Sequence, residues 1–139
     1  MLVSVRWSSI CRKDNPRWDW AGVLYAYSYP DTHEIIYIGK AFGQTVRGRF
    51  RYSSKEGLWE DLERERGIRK VIVLVGEVFL PPGRRLTDEL ISDIESLLIK
   101  RIQPYGNIQS RNSRISRPGL RVLCVGKWPF GQREYRDIG

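Results

Sequence analysis

Two strand-forming stretches lying four residues apart limit what this chain can become. Residues 21–29 read AGVLYAYSY and residues 34–40 read EIIYIGK. Both are dense in aromatic and branched side chains, which suit a pleated, half-buried surface. The link between them, Pro30-Asp31-Thr32-His33, is far too short for a parallel crossover, so the two stretches must form an antiparallel hairpin.

The rest of the chain supplies partners for that hairpin. Residues 70–80 are strongly apolar and are stopped by Pro81-Pro82-Gly83, which reads as a third strand. Shorter strands are expected at residues 2–6 and 120–126. Thr45 can cap a short helix running to about residue 52. Residues 56–66 place acids early and arginines late, as the helix dipole favours, and Gly67 ends them. The clearest helix opens at Thr87, with Asp88 and Glu89 in its first turn. Leu90, Ile91, Ile94, Leu97, Leu98 and Ile102 then recur at helical spacing up to Pro104.

This order predicts an α+β domain built on a small, mainly antiparallel sheet of about three strands flanked by helices. Residues 1–20 read as an N-terminal extension, residues 21–108 as the domain proper, and residues 109–139 as a basic C-terminal extension packing on it.

A chain of 139 residues suffices for one domain with its own core. Its single histidine, His33, nearly excludes His-rich zinc sites and any mechanism built on two histidines. Its two cysteines, Cys11 and Cys124, form no spacing motif and read as free thiols of a reducing compartment. No apolar run approaches the roughly 20 residues of a membrane span. The N-terminus has no basic lead followed by an apolar block, so a cytoplasmic or nucleoid-associated protein is expected rather than a secreted or membrane one. The net charge of +8 is concentrated in residues 1–56 and 107–139, on either side of a nearly neutral middle. Clustered arginine points to a polyanionic partner, of which nucleic acid is the commonest.

The hairpin also carries a motif. Gly22-Val23-Leu24-Tyr25 lies on its first strand and Tyr37-Ile38-Gly39 on its second. Downstream come Thr45-Val46-Arg47-Gly48-Arg49-Phe50, then Glu95-Ser96-Leu97-Leu98-Ile99, then Pro104-Tyr105-Gly106-Asn107. In content and order this resembles the GIY-YIG nuclease family. The second motif matches to the letter; in the first, Val23-Leu24-Tyr25 stands where Gly-Ile-Tyr is expected.

The resemblance implies a GIY-YIG nuclease-like fold and a metal-dependent endonuclease acting on DNA. It makes Tyr25 the general base, directly or through water, and Tyr37 a group that orients water or phosphate. An arginine holds the scissile phosphate. Ungapped spacing from Tyr37 points to Arg47, whereas the apolar register of Val46 and Phe50 points to Arg49, which we take, leaving Arg47 to contact the backbone elsewhere. Glu95 is the implied metal ligand, for Mg²⁺ with Mn²⁺ as a substitute. Asn107 is either structural or phosphate-positioning.

These assignments also make sense from the residues themselves. With so little histidine, a tyrosine can serve as base only if its pKa is lowered or its proton is passed on. Steps of about 100° per residue from Leu90 put Glu95 at the edge of the apolar helix stripe, where a carboxylate can face a cleft. A lone hard oxygen ligand suits Mg²⁺, which keeps waters and uses substrate phosphates. Lys40 can hold phosphate or can be a surface lysine at a strand end. Arg111, Arg114 and Arg117 can track a phosphate backbone. Trp7, Trp18 and Trp20 more often fill a core or cover a sheet than stack on bases. The alternative reading of the whole chain is a nuclease-like scaffold that binds nucleic acid without cutting it.

Overall fold

The computed structural model describes residues 1–10, 12, 14–30, 32–51, 64, 67, 70–110 and 117–137. The expected helix over residues 56–66 lies almost wholly outside them, as do Arg111 and Arg114. Among the described residues, six strands form one sheet: β1 (Leu2–Ile10), β2 (Val23–Ser28), β3 (Ile35–Ala41), β4 (Ile72–Phe79), β5 (Arg121–Gly126) and β6 (Glu134–Arg136). Their order is β3-β2-β4-β1-β5-β6. A short helix α1 (Val46–Arg51) follows β3, and the one long helix described, α2 (Asp88–Ile102), follows β4.

The expected three-stranded antiparallel sheet flanked by helices is therefore corrected. The sheet is six-stranded and mixed, curled into a half-barrel, because β1 pairs antiparallel with β4 and parallel with β5, and β6 adds an antiparallel edge. Two features of the chain cause this. The first strand does not stop at Arg6: it runs on to residue 10, with Trp7 buried on the face of Val3 and Val5 and Ile10 buried on the other face. The segment after residue 120 then finds the free edge of β1, with Leu2 opposite Arg121 and Trp7 opposite Gly126.

Trp7 is the centrepiece of that half of the sheet. It is 1 % exposed and stacks on Trp128 at 5.1 Å between ring centroids. Its ring lies across Gly76 of β4. A Cβ on Gly76 would stand 2.7 Å from a Val5 methyl and 3.1 Å from the Trp7 ring, so only glycine lets the indole lie flat on the sheet. Burial pushes the neighbouring Cys124 thiol up to about 12, leaving it an inert core group.

The two faces of the sheet carry separate cores. α2 covers one, packing Ile91, Ile94, Leu97 and Leu98 against Val3, Val5, Leu24, Ala26, Leu74 and Val122. It starts as the sequence predicts, with the Thr87 hydroxyl accepting from the Leu90 N–H at 3.1 Å, and it ends on a left-handed Gln103. No helix among the described residues is long and apolar enough to cross a membrane. The other face holds Tyr25, Tyr27, Val73 and Val75, partly covered by Val46 of α1 and by Trp18 and Trp20.

A bulge in β3 sorts its side chains between the two cores. Tyr27 pairs with Tyr37 and Ser28 with Ile35, leaving Ile36 as the extra residue. Ile35 and Ile38 thereby join the α2 face, while Ile36 and Tyr37 join the tyrosine face.

Replacing Trp7 removes the stack and opens a void over Gly76. We expect Trp7→Ala to cost about 3–5 kcal/mol, read as a lower urea midpoint with circular dichroism. A loss under about 1 kcal/mol would contradict the central place given to this residue.

Candidate active site

On the tyrosine face, three rings form one aromatic layer. Tyr25 and Tyr27 stand two apart on β2 and so share a face. Their centroids are 5.5 Å apart, and each lies against Tyr37 of β3, at 6.0 and 5.4 Å. Tyr25 fits into this layer because Gly39 has no side chain. The Tyr25 ring passes directly over it, and a Cβ at that position would overlap the phenol. The glycine that ends the Tyr37-Ile38-Gly39 motif is thus the seat of the tyrosine that ends the first motif.

Arg49 reaches this layer from α1. Thr45 caps the helix by accepting from the Gly48 N–H at 3.0 Å, and the Val46 N–H donates to the Trp20 carbonyl at 3.0 Å, tying the helix to the preceding turn. That anchoring presents Arg49 to the tyrosines, and its guanidinium donates to the oxygens of Tyr25 and Tyr37. Arg47, two residues earlier, emerges on the other side of the helix. It pairs with Asp19 at 3.1 Å and lies 5.8 Å over the Trp18 ring.

Glu95 arrives from α2. It is half-buried and lies within electrostatic reach of both Tyr37 and Arg49. Tyr25, Tyr37, Arg49 and Glu95, spread over 70 residues of chain, converge on one locus.

Electrostatics at this locus favour neutral phenols beside a charged arginine. Burial raises the Tyr25 pKa above the ordinary tyrosine value, and nearby Tyr37 raises it further; the charge and hydrogen bond of Arg49 act the other way without prevailing. Burial also raises Tyr37 and Tyr27. For Arg49, burial works to lower the value, but the two tyrosines and Glu95 outweigh it, and the guanidinium stays protonated. The hydroxyls of Tyr25 and Tyr37 are hydrogen-bonded to one another. A lowered tyrosine pKa is therefore not how this site would act as a base, and passing the proton along remains.

The other residues singled out in the sequence lie around this locus rather than in it. The Lys40 ammonium spans Asp88 at 2.7 Å and the Ser92 hydroxyl, fastening β3 to the first turns of α2. Asn107 is buried; its amide accepts from the Ile38 N–H and donates to the Ile38 carbonyl, both at 2.9 Å. It thus satisfies the outward backbone groups of an edge strand between Tyr37 and Gly39. Arg117 pairs with Asp93 at 2.9 Å.

Reading the sequence did not single out Tyr27 or the Asp93–Arg117 pair. The spacing of Tyr25 and Tyr27 on one strand carried the signal for the former. Nothing local marks Asp93, which is 8 % exposed because an arginine 24 residues away meets it.

The one donor this locus offers is a hard oxygen, the ligand type that a cation such as Mg²⁺ takes. Among the described residues, no group of three or more His, Cys, Asp or Glu is gathered as a metal cage. Glu95 offers one carboxylate, and Mg²⁺ characteristically takes one or two, completing its shell with water and substrate phosphate.

Two measurements check this geometry. Asn107→Ala leaves the Ile38 N–H and C=O without their partner, for a loss of about 1–3 kcal/mol in urea unfolding; no loss would contradict the clamp. The second is a pH series. Tyr25, Tyr27, Tyr37, Tyr135 and Cys124 all hold their protons more tightly folded than unfolded. Their stabilisation is fully present below the unfolded values, about 10 for tyrosine and 8.5 for cysteine. It is lost progressively as pH rises above those values toward the higher folded-state ones. The urea midpoint should fall between pH 8 and pH 10.5, and fall less in Tyr27→Phe. A midpoint that is flat or rises would contradict the assignment.

No family model, curated protein or solved structure matches the chain.

Proposed function

We propose that this protein is a metal-dependent endonuclease, similar in mechanism to the GIY-YIG nucleases, that hydrolyses phosphodiester bonds in DNA. The observation that carries the reading is the meeting of Tyr25, Tyr37, Arg49 and Glu95 at one locus. Burial of an ordinary core would not require an arginine and a glutamate beside three packed phenols.

In this reading Arg49 binds the scissile phosphate. Its fixed charge is opposite the oxygens on which negative charge grows as water attacks phosphorus. Tyr25 takes a proton from the attacking water while its own moves along the hydrogen bond to Tyr37, which releases one to solvent. Each oxygen gains a proton as it loses one, so no buried tyrosinate accumulates and the raised pKa values are no obstacle. The bond from phosphorus to the leaving sugar oxygen breaks, and that oxygen takes up a proton. Glu95 would hold a Mg²⁺ ion, with Mn²⁺ as a substitute. When bound, such an ion neutralises phosphate charge and steadies the leaving oxygen. The net charge of +8 draws the duplex to the protein and makes its association steeply salt-dependent.

The test is incubation with supercoiled plasmid and Mg²⁺. We expect nicking or linearisation that EDTA abolishes, that Glu95→Ala loses, and that Arg49→Ala slows by about 10²–10³-fold. Tyr25→Phe should slow it by about 10²–10⁴-fold. Plasmid retarded on a gel but left uncut, together with branched and single-stranded DNA left uncut, would favour a binding module instead. Cutting that persists in Glu95→Ala would refute the assignment.

A further inference from the structure

On the opposite side of the sheet from the tyrosines, beyond the reach of α2, the structure opens a cavity of about 510 Å³. That lies within the roughly 300–1,000 Å³ typical of small-molecule sites. We infer that it is a binding site for a single nucleotide, separate from the catalytic locus.

Its walls divide by chemistry. Leu74 and Trp128 provide apolar surface, suited to the flat body of a nucleobase. Ser9 and Ser28 line the same space from the ends of β1 and β2. Their hydroxyls both donate and accept, which suits the mixed edge of a base. Ser28 is 3 % exposed as a residue, but its hydroxyl makes no hydrogen bond among the described residues and is not sealed from solvent, so it is open to a ligand in the cavity. At the mouth stands Lys127. Its backbone N–H is fixed to the Trp7 carbonyl at 2.9 Å, while its exposed ammonium forms no ion pair among the described residues and is available to a phosphate. Lys40, Arg47 and Arg117, by contrast, are each engaged by a carboxylate. His33 borders the cavity from the β2–β3 turn with a left-handed backbone, φ 59°, a conformation uncommon outside glycine. A flat, hydrogen-bonding body with one phosphate fits all three walls; phosphate alone, or a nucleoside alone, leaves one wall unmatched.

The inference does not rest on the nuclease reading, and the test keeps them apart. Adenosine 5′-monophosphate is titrated calorimetrically into the full chain in EDTA, beside adenosine, inorganic phosphate and a 5′-phosphorylated deoxyadenosine hexamer. We expect one saturable site with Kd below about 1 mM, with adenosine and phosphate each at least tenfold weaker. Lys127→Glu should weaken nucleotide binding at least tenfold, and Ser28→Val should weaken it in a protein whose circular dichroism is unchanged. Glu95→Ala should leave it unaltered. A hexamer that competes with the mononucleotide identifies a strand end as the occupant, and one that does not identifies a free nucleotide. The proposal is overturned if the mononucleotide shows no saturable binding, if phosphate alone binds as tightly, or if Lys127→Glu binds like the wild type.

Discussion

The candidate site depends on how one edge strand is held. β3 lies at the end of the sheet, with β2 on one side only, and its free edge would otherwise offer unpaired backbone groups to water or to another chain. Asn107 answers both outward groups of Ile38, and Lys40, two residues on, ties the same strand to Asp88 and Ser92 of α2. Tyr37 and Gly39 flank the clamped residue. One therefore presents its ring to Tyr25 and Tyr27, and the other leaves the gap that the Tyr25 ring occupies. A strand free to slide by one residue would turn Tyr37 to the opposite face, and the aromatic layer, the arginine contact and the approach of Glu95 would all be lost.

The opposite half of the sheet repeats the device with different residues. There the indole of Trp7 lies over Gly76 as the phenol of Tyr25 lies over Gly39. In each case a glycine on one strand receives the ring of its neighbour, drawing a large aromatic flat onto the sheet. Trp7 then supports Trp128 and through it the loop that follows β5. The two rings lie on opposite faces, so the sheet keeps a core under α2 while offering the tyrosine layer to α1.

Most of what governs the site was legible from local pattern. The hairpin followed from strand composition and a four-residue link, and α2 from its apolar repeat and Thr87 cap. Helical periodicity alone put Arg47 and Arg49 on different sides of α1 and Glu95 at the margin of the buried stripe of α2. What escaped depends on long-range pairing. Leu2 meets Arg121 across nearly the whole chain, and no periodicity in either segment announces a parallel partner. β6 is only three residues long, below the reach of any alternation pattern. In β3 four successive large residues, Ile35 to Ile38, carry no period of two, and only the bulge decides which face each takes. The tyrosine pKa values were also out of reach, because burial, which raises them, depends on the assembled layer rather than on any motif.

The central claim is that Tyr25 and Glu95, brought from a strand and a distant helix, act as one unit. The most direct test is a double-mutant cycle on plasmid cleavage, measured under single turnover with Mg²⁺ for the wild type, Tyr25→Phe, Glu95→Ala and the double variant. Residues that serve one transition state show strongly non-additive losses. The account predicts that the double variant is no slower than the slower single one. Losses that multiply independently, or a wild type that cuts no DNA in Mg²⁺, would contradict it.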